Sequence, residues 1–274
     1  MSSEEHILRY YDKKNNRLVH IENSSTPHYW DSLWKKKRTN IDKMYYRELK
    51  YGFVAPITRK FLKRGSKIIE GGCGLGAKVY ALDYAGFVTI GVDYAKDTIR
   101  FVKMRYPNLQ LIIADVRKLP FKDESFDGYW SLGVIEHFYD GFNEIVHEIY
   151  RVLKKDGYLF ITFPYMSPLR KIKSKLGLYP TWTEDVNLVS RFSYYILDER
   201  EVVSKFEEKE FRLIWKRPKP HSGFIGLKDE LWKHNPLQII GKYDNFLSKG
   251  IKYIINKLLS NFCGHAILMV FKKL

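Results

Sequence analysis

The sequence predicts an α/β fold with a doubly wound sheet, and two observations lead to this prediction. Short apolar segments typical of strands alternate with helical segments along residues 67–163. Strands that alternate with helices pair in parallel, and the helices cover both faces of the sheet. In addition, a glycine-rich turn follows the first of these strands, where such sheets bind nucleotide-type ligands.

The first predicted strand of this sheet ends at an acidic residue. Ile68 and Ile69 are apolar, as in a buried strand, and Glu70 follows them. The glycines of the turn are Gly71, Gly72, Gly74 and Gly76. Their spacing satisfies the loose dinucleotide pattern, but a carboxylate at Glu70 disfavours a pyrophosphate and attracts a ligand with an ammonium and a sulfonium. S-adenosylmethionine is such a ligand.

Two further acids end the next two predicted strands. Asp93 closes the strand that begins at Val88, about twenty residues beyond the glycine turn, where a carboxylate can accept hydrogen bonds from ribose hydroxyls. NAD would share that feature. Asp115 closes the strand over 110–114, and this third acid is not expected of an NAD site.

These residues, with Leu119-Pro-Phe and Ser125-Phe-Asp127, resemble the motifs of class I S-adenosylmethionine-dependent methyltransferases. The resemblance covers residues 65–165 and is to the small-molecule branch (type 11) that includes the ubiquinone and menaquinone C-methylating enzymes. It implies a Rossmann-like fold with a seven-stranded, mostly parallel sheet, S-adenosylmethionine as cofactor, and no metal. The residues expected to bind the cofactor are Glu70, Gly71, Gly72, Gly74, Gly76, Asp93, Tyr94, Asp115, Val116, Ser131 and Leu132.

The remaining core elements follow in order. Helices are predicted from Ala77, where Gly86 supplies the C-terminal cap, and from Asp97, where Pro107 stops the pattern. The fourth strand covers 126–132. The elements that complete the fold are a helix with an apolar face over 145–153, a strand over 158–163, a helix over 198–206, and strands over 211–216 and 266–271.

The carboxyl end of the fourth strand is the predicted reaction edge, and the catalytic candidates are His137 and Glu136. Imidazole can accept a proton near neutral pH, although a structural hydrogen bond at a helix end would also explain His137. The Glu136-His137 pair resembles a run in cyclopropane fatty-acid synthases, which is a lipid-modifying alternative. Ser131-Leu-Gly-Val stands where enzymes that methylate base amines carry Asn/Asp-Pro-Pro-aromatic, so an RNA methyltransferase is a less favoured alternative.

Two segments outside the sheet are predicted to enclose the ligands. Residues 1–64 are predicted to form a helical cap on a methyltransferase domain over 65–274, and residues 165–197 an acceptor lid after the fifth strand. The candidate substrate-binding residues are Tyr29, Trp30, Tyr165 and Trp182. Packing of these aromatic side chains onto the domain is the alternative for both segments.

The composition gives a formal net charge of +16, which favours anionic partners such as nucleic acid, lipid headgroups or phosphorylated sugars, or reflects a lysine-rich proteome. Residues 235–260 predict a basic amphipathic helix that packs within the protein or contacts an anionic membrane surface. No secretory segment is recognised, and Cys73 and Cys263 predict a reduced, cytoplasmic protein. The predicted activity is methyl transfer to an O, N or C atom of a small-molecule acceptor, which lipid-linked or sugar-linked compounds would include.

Overall fold

The computed structural model describes residues 9–22, 24–231, 236–243 and 245–274. The strands found there are β1 (Arg9–Asp12), β2 (Arg17–Ile21), β3 (Lys67–Gly71), β4 (Val88–Asp93), β5 (Leu111–Ile113), β6 (Phe126–Leu132), β7 (Leu153–Pro164), β8 (Phe192–Ile196), β9 (Phe211–Pro218) and β10 (Ala266–Lys273). The α-helices are α1 (Pro27–Lys35), α2 (Ile41–Tyr51), α3 (Val54–Thr58), α4 (Ala77–Tyr84), α5 (Lys96–Arg105), α6 (Asn143–Val152), α7 (Pro168–Lys175), α8 (Val186–Ser190), α9 (Glu199–Glu207), α10 (Ser222–Glu230), α11 (Pro236–Lys242) and α12 (Phe246–Cys263).

The main sheet has seven strands in the order β5-β4-β3-β6-β7-β10-β9. The first five strands in this order pair in parallel, and β10 is antiparallel to both of its neighbours. This arrangement confirms the predicted seven-stranded, mostly parallel fold. Because the strand order reverses between β3 and β6, the carboxyl ends of these strands open a crevice.

The central strands are buried on both faces of the sheet. Ile69 and Tyr129 pack into the core on one face, and their neighbours Ile68 and Trp130 pack into the core on the other. Successive side chains of a strand point to opposite faces, so a strand covered by helices on both sides needs continuous apolar residues. This requirement explains why the strands of residues 67–163 were recognisable in the sequence.

The N-terminal segment differs from the prediction, because residues 9–21 form a β-hairpin instead of helices. β1 and β2 pair antiparallel, and β2 also pairs with β8 to give a second sheet of three strands. The turn between β1 and β2 is stabilised by Asp12, whose carboxylate accepts hydrogen bonds from the backbone and side-chain amides of Asn15. Asn16 adopts a left-handed conformation with φ of 49°. Asx side chains at these positions are a turn signal that favours a hairpin over a helix.

The two remaining segments differ from their predictions in detail. Residues 165–197 contain α7, α8 and β8, so part of the predicted lid is a strand of the second sheet. The predicted helix over 235–260 is two helices, α11 and α12, and Asn245 caps the second by accepting a hydrogen bond from the Ser248 amide. Asn235, where that helix was predicted to begin, lies outside the described residues. Within the described ranges, no helix is both long and apolar enough to cross a membrane.

Candidate active site

A cavity of about 250 Å³ lies at the carboxyl ends of β3, β4 and β6, beneath α1. It occupies the crevice where the sequence predicted a cofactor. Nine of the predicted site residues line it, namely Trp30, Glu70, Gly72, Asp93, Tyr94, Asp115, Val116, Leu132 and His137.

Four other predicted cofactor residues, Gly71, Gly74, Gly76 and Ser131, are not part of the cavity wall but support it. A Cβ at Gly74 would lie 2.6 Å from the Trp34 ring, and one at Gly71 would lie 2.0 Å from the Tyr129 hydroxyl. Gly76 has φ of 74° and directly precedes α4, while Ser131 is buried within β6. These residues therefore set the backbone path of the turn through close packing.

Three of the predicted substrate residues also lie away from the cavity wall. Trp182 packs edge-on against Tyr10 at 5.9 Å, and its amide donates to the Tyr11 carbonyl, so it joins the predicted lid to β1. Tyr165 is buried in the core beside β10, and Tyr29 stands edge-on to Trp30 at 5.3 Å. The predicted lid contacts the cavity wall at a different residue. Ser193 of β8 lies within hydrogen-bond distance of His137, which lines the cavity.

Glu70 ends β3 with its carboxylate buried at the cavity. The side chain is 4% exposed, and its Oε2 atom has no hydrogen-bond partner among the described residues. Burial raises the pKa of this carboxyl to about 8, although the Lys78 ammonium opposes the shift. A buried carboxylate without a partner is costly, so a cationic ligand group at Glu70 would offset that cost.

Asp93 connects β4 to the glycine turn. One carboxylate oxygen accepts a hydrogen bond from the Gly74 amide at 2.8 Å, and the other accepts one from the Ala95 amide at 2.9 Å. Burial raises the pKa of Asp93, and these two backbone hydrogen bonds act in the opposite direction. The carboxylate thereby fixes the turn while its remaining lone pairs can accept hydrogen bonds from a ligand.

Asp115 also lines the cavity and is more exposed than the other two acids. The Arg117 guanidinium donates to both of its carboxylate oxygens at 2.7–3.1 Å. Burial alone would raise the pKa of Asp115, but the hydrogen bonds from Arg117 lower it. Asp115 is therefore ionised at neutral pH and positioned by Arg117.

The helix α1 covers the cavity with two tryptophans. Trp30 and Trp34 are four residues apart, stack at 6.2 Å, and both line the cavity. Asp31 holds this helix in place, because its carboxylate accepts hydrogen bonds from the Thr98 amide at 2.8 Å and the Thr98 hydroxyl at 2.7 Å. Asp31 thereby caps the first turn of α5 and anchors the cover to the sheet domain.

His137 faces the cavity from the short 3-10 helix after β6. Its Nδ1 lies 2.8 Å from the Ser193 carbonyl oxygen and 2.9 Å from the Ser25 hydroxyl. A carbonyl only accepts hydrogen bonds, so the ring donates from Nδ1 and keeps a lone pair on Nε2. Burial lowers the pKa of His137 to about 4, with the Ser193 carbonyl opposing the shift. The ring is therefore neutral at pH 7.

Glu136 is 2% exposed and does not line the cavity. A Cβ added at Gly133, which does line it, would lie 3.4 Å from the Oε1 atom of Glu136, so the carboxyl supports the wall. Burial raises the pKa of Glu136 to about 8, and the Lys219 ammonium opposes this shift. Glu136 is thus positioned to influence the wall and not to touch a ligand directly.

Several residues of the wall were absent from the predicted site. They include Trp34, Met44, Lys78, Gly133, Val134 and Phe138. The i, i+4 spacing of Trp30 and Trp34 is a signal that could have found Trp34, because such residues share one face of a helix. Met44 comes from α2 and has no motif, so only the tertiary packing shows its position.

The fold has counterparts among solved structures. The chain aligns over 97% of its length with 98% of a Burkholderia thailandensis 1,6-didemethyltoxoflavin N1-methyltransferase, with a TM-score of 0.55 and 14% identity. That enzyme was solved with 1,6-didemethyltoxoflavin and S-adenosylhomocysteine bound. At this level of identity the likeness shows a shared Rossmann-like methyltransferase fold.

Sequence relatives define the class of the domain. A probable S-adenosylmethionine-dependent methyltransferase of Mycolicibacterium smegmatis is 34% identical over 103 residues, which are 36% of this chain and 38% of the relative. A putative 23S rRNA (guanine-N(1)-)-methyltransferase of Bacillus subtilis is 35% identical over 112 residues, 38% of this chain and 37% of the relative. The matches thus span little more than a third of these relatives.

The domain at the centre of the chain is a class I methyltransferase domain of the kind that uses S-adenosylmethionine, as the motifs predicted. Residues 69–161 match the Methyltransf_11 family model, which describes a methyltransferase domain. This range contains β3 to β6, the glycine turn, Glu70, Asp93 and Asp115. The segments that precede and follow it supply the cover α1 and the second sheet.

Proposed function

We propose that this protein transfers a methyl group from S-adenosylmethionine to a small-molecule acceptor that enters the cavity beside His137. The observation that supports the proposal best is the unpartnered carboxylate oxygen of Glu70. It is buried at the end of β3, next to glycines whose packing leaves no room for side chains. A ligand with a primary ammonium would satisfy this oxygen, and a dinucleotide would not.

The residues present fit the cofactor. Glu70 would accept hydrogen bonds from its amino group, Asp93 from its ribose hydroxyls and Asp115 from its adenine amine, while Tyr94 would lie against the adenine ring. When bound, S-adenosylmethionine supplies a sulfonium methyl group that a nucleophile can displace in line. Trp30 and Trp34 would exclude water from the cavity. Holding the nucleophile in line with the methyl group lowers the barrier by roughly 7 to 11 kcal/mol.

His137 would orient the acceptor. Its neutral ring presents a lone pair on Nε2, which can accept a hydrogen bond or a proton from an acceptor hydroxyl or amine. Because the pKa of the ring is lowered to about 4, His137 is a weak base, and it suits an acceptor that is already nucleophilic. Hydrogen bonding and placement are therefore the larger part of its proposed role.

An RNA acceptor is a second candidate. The net charge of +16 and the similarity to a putative rRNA methyltransferase favour it. The absence of the Asn/Asp-Pro-Pro-aromatic run after β6 favours the small molecule.

Incubation with methyl-labelled S-adenosylmethionine and a fractionated extract of the source cells tests the proposal. Label is expected in small molecules or lipids, and Glu70→Gln should abolish it, while Glu208→Gln, at an exposed position, should not. Label that enters only RNA would establish the second candidate. A protein that binds neither S-adenosylmethionine nor S-adenosylhomocysteine in calorimetry would overturn both.

A further inference from the structure

Among the described residues, one side of the long helix α12 packs against α10. The Phe224 amide of α10 donates to the Asn256 side-chain oxygen at 2.9 Å. Gly223 and Gly226 bring the two helices so close that a Cβ at Gly226 would lie 1.7 Å from the Cys263 carbonyl oxygen. This approach determines which side of α12 faces the protein.

The opposite side of α12 is apolar and exposed. Apolar residues spaced four, three, four and four positions apart form a stripe along the helix. At 100° per residue, this stripe lies on the side opposite Asn256 and Cys263. It consists of Leu247, Ile251, Ile254, Leu258 and Phe262. Leu247 is 71% exposed, Leu258 69% and Phe262 42%. Ile254 is also exposed, whereas Ile251 is partly buried. The exposed members of the stripe are not covered by the described part of the chain, and an exposed apolar stripe marks an interaction surface.

The neighbouring helix α7 extends this surface. α7 packs against α12 and exposes Ile172 and Leu176, which are 46% and 67% exposed. We call the exposed apolar residues of α7 and α12 the apolar face.

The charged side chains of α7 and α12 are all positive. α7 and α12 contain no aspartate or glutamate. Their basic residues are Arg170, Lys171, Lys173, Lys175, Lys249, Lys252 and Lys257. Arg170 and Lys173 turn inward to Glu230, Lys252 donates to the Tyr243 carbonyl, and Lys171 forms an ion pair with Asp198 at 3.9 Å. The exposed basic residues are Lys175, Lys249 and Lys257. Lys257 directly precedes Leu258 of the stripe, and Lys175 lies between Ile172 and Leu176. An exposed apolar surface flanked by lysines is complementary to an anionic bilayer, where lysines reach the phosphates and apolar residues enter the acyl boundary.

We propose that the apolar face docks this protein onto the surface of an anionic lipid bilayer. A second copy of the chain would bring two lysine-bordered, acid-free faces together, and like charges oppose that contact. Because none of the described helices can cross a membrane, α12 would lie in the plane of the interface.

The C-terminal end of α12 stands near the edge of the sheet that holds the cavity. α12 ends at Cys263, and Ala266 pairs soon afterwards with Pro164 at the carboxyl end of β7. Docking would therefore bring the cavity edge toward the bilayer, where a lipid-borne acceptor is available. This last step rests on the proposed methyl transfer, whereas the docking itself does not.

Co-sedimentation with vesicles, performed without S-adenosylmethionine, tests the docking. The full chain should bind vesicles of phosphatidylglycerol and phosphatidylcholine, should not bind pure phosphatidylcholine, and should dissociate as salt is raised. The double change Leu247→Ser with Leu258→Ser should weaken partitioning at least about tenfold. Lys175→Glu with Lys257→Glu should weaken it by about 25-fold or more, since each lysine lost costs roughly fivefold.

Matched controls come from α5, on the opposite edge of the sheet. Met104→Ser removes an apolar side chain that is 78% exposed, and Lys103→Glu reverses an exposed charge, so both should leave partitioning unchanged. Failure to bind anionic vesicles, or an equal loss in the controls, overturns the docking. A dimer in light scattering that Leu258→Ser dissociates would instead assign the apolar face to a second copy. Failure of methyl transfer alone would leave vesicle binding intact, so the two proposals fail separately.

Discussion

At the scale of single residues, the carboxylate of Glu70 makes ligand binding depend on pH. In the ligand-free protein this carboxyl has its pKa raised to about 8 and carries a proton at neutral pH. A cationic ligand group favours the ionised form, so binding should release this proton to solvent below about pH 8.

The affinity for S-adenosylhomocysteine is therefore expected to weaken as the pH falls from 7.5 to 6, by up to about tenfold per pH unit. Calorimetry in buffers with different ionisation enthalpies measures the released proton. Glu70→Gln should abolish the proton release and weaken binding. Proton uptake, or an affinity independent of pH, would contradict the assignment of Glu70.

A second expectation at this scale concerns His137. His137→Ala should lower kcat by roughly a hundredfold or more if the acceptor must lose a proton, while the Kd of the cofactor changes little. His137→Asn retains a hydrogen-bond acceptor and should recover part of the rate if placement dominates. Because the ring is neutral above about pH 4, the kcat profile should show no step near pH 6.5. A step there that disappears in the alanine variant would restore the role of a conventional base.

At the scale of elements, the cover α1 depends on one carboxylate. Asp31→Ala removes the hydrogen bonds to Thr98 and should weaken cofactor binding by about 1 to 2 kcal/mol, the usual cost of losing such a cap. Calorimetry measures the change, and Asp83→Ala, at an exposed position of α4, is the control. An unchanged Kd in the Asp31 variant would show that α1 does not enclose the ligand.

The predicted lid is expected to stabilise the fold through Trp182. Trp182→Ala should lower the free energy of unfolding by about 1 to 3 kcal/mol, since the ring packs against Tyr10 but is only partly buried. The Kd of the cofactor should stay within twofold, because Trp182 does not line the cavity. Chemical denaturation and calorimetry separate the two effects. Loss of turnover with unchanged stability would support the prediction that Trp182 belongs to the acceptor site.

The success of the sequence prediction differed between elements for physical reasons. β3, β4 and β6 are buried on both faces, and their apolar runs and terminal acids identify them locally. The hairpin β1–β2 depends on pairing with β8, which is distant in sequence. The local pattern of aromatic residues in the hairpin therefore did not indicate strands and was interpreted as helical. Of the cavity wall, Glu70, Asp93 and Asp115 follow from motifs, whereas Met44 and Phe138 reach it only through tertiary packing.

At the scale of the whole molecule, four buried groups shape the dependence of stability on pH. Burial lowers the pKa of His20 and His137 to about 4, so the unfolded chain binds more protons between about pH 4 and 6.5. Stability from these histidines is therefore lost as the pH falls through that range. Burial raises the pKa of Glu70 and Glu136 to about 8, so the folded chain binds more protons between about pH 4.5 and 8. Stability from these carboxyl groups is lost as the pH rises.

The ligand-free protein should consequently lose thermal stability as the pH rises from 6.5 to 8, where Glu70 and Glu136 are the ones of these four groups that titrate. Thermal unfolding at several pH values measures this loss. Combining Glu70→Gln with Glu136→Gln should flatten the profile in that range, and Glu208→Gln, an exposed position, should not. A Tm that rises from pH 6.5 to 8 in the native sequence would contradict the raised pKa of both carboxyl groups.

The three-stranded sheet also bears on how the chain acquires its structure during synthesis. β2 is synthesised before the main sheet, yet Leu18 and Ile21 pair with Ile196 and Phe192, which are made only after most of that sheet. Pairing between segments so distant in sequence is slow, because the intervening chain must first be ordered. Until β8 is synthesised and covers them, Leu18, Val19 and Ile21 of the nascent hairpin would stay exposed. They would then form a binding site for chaperones.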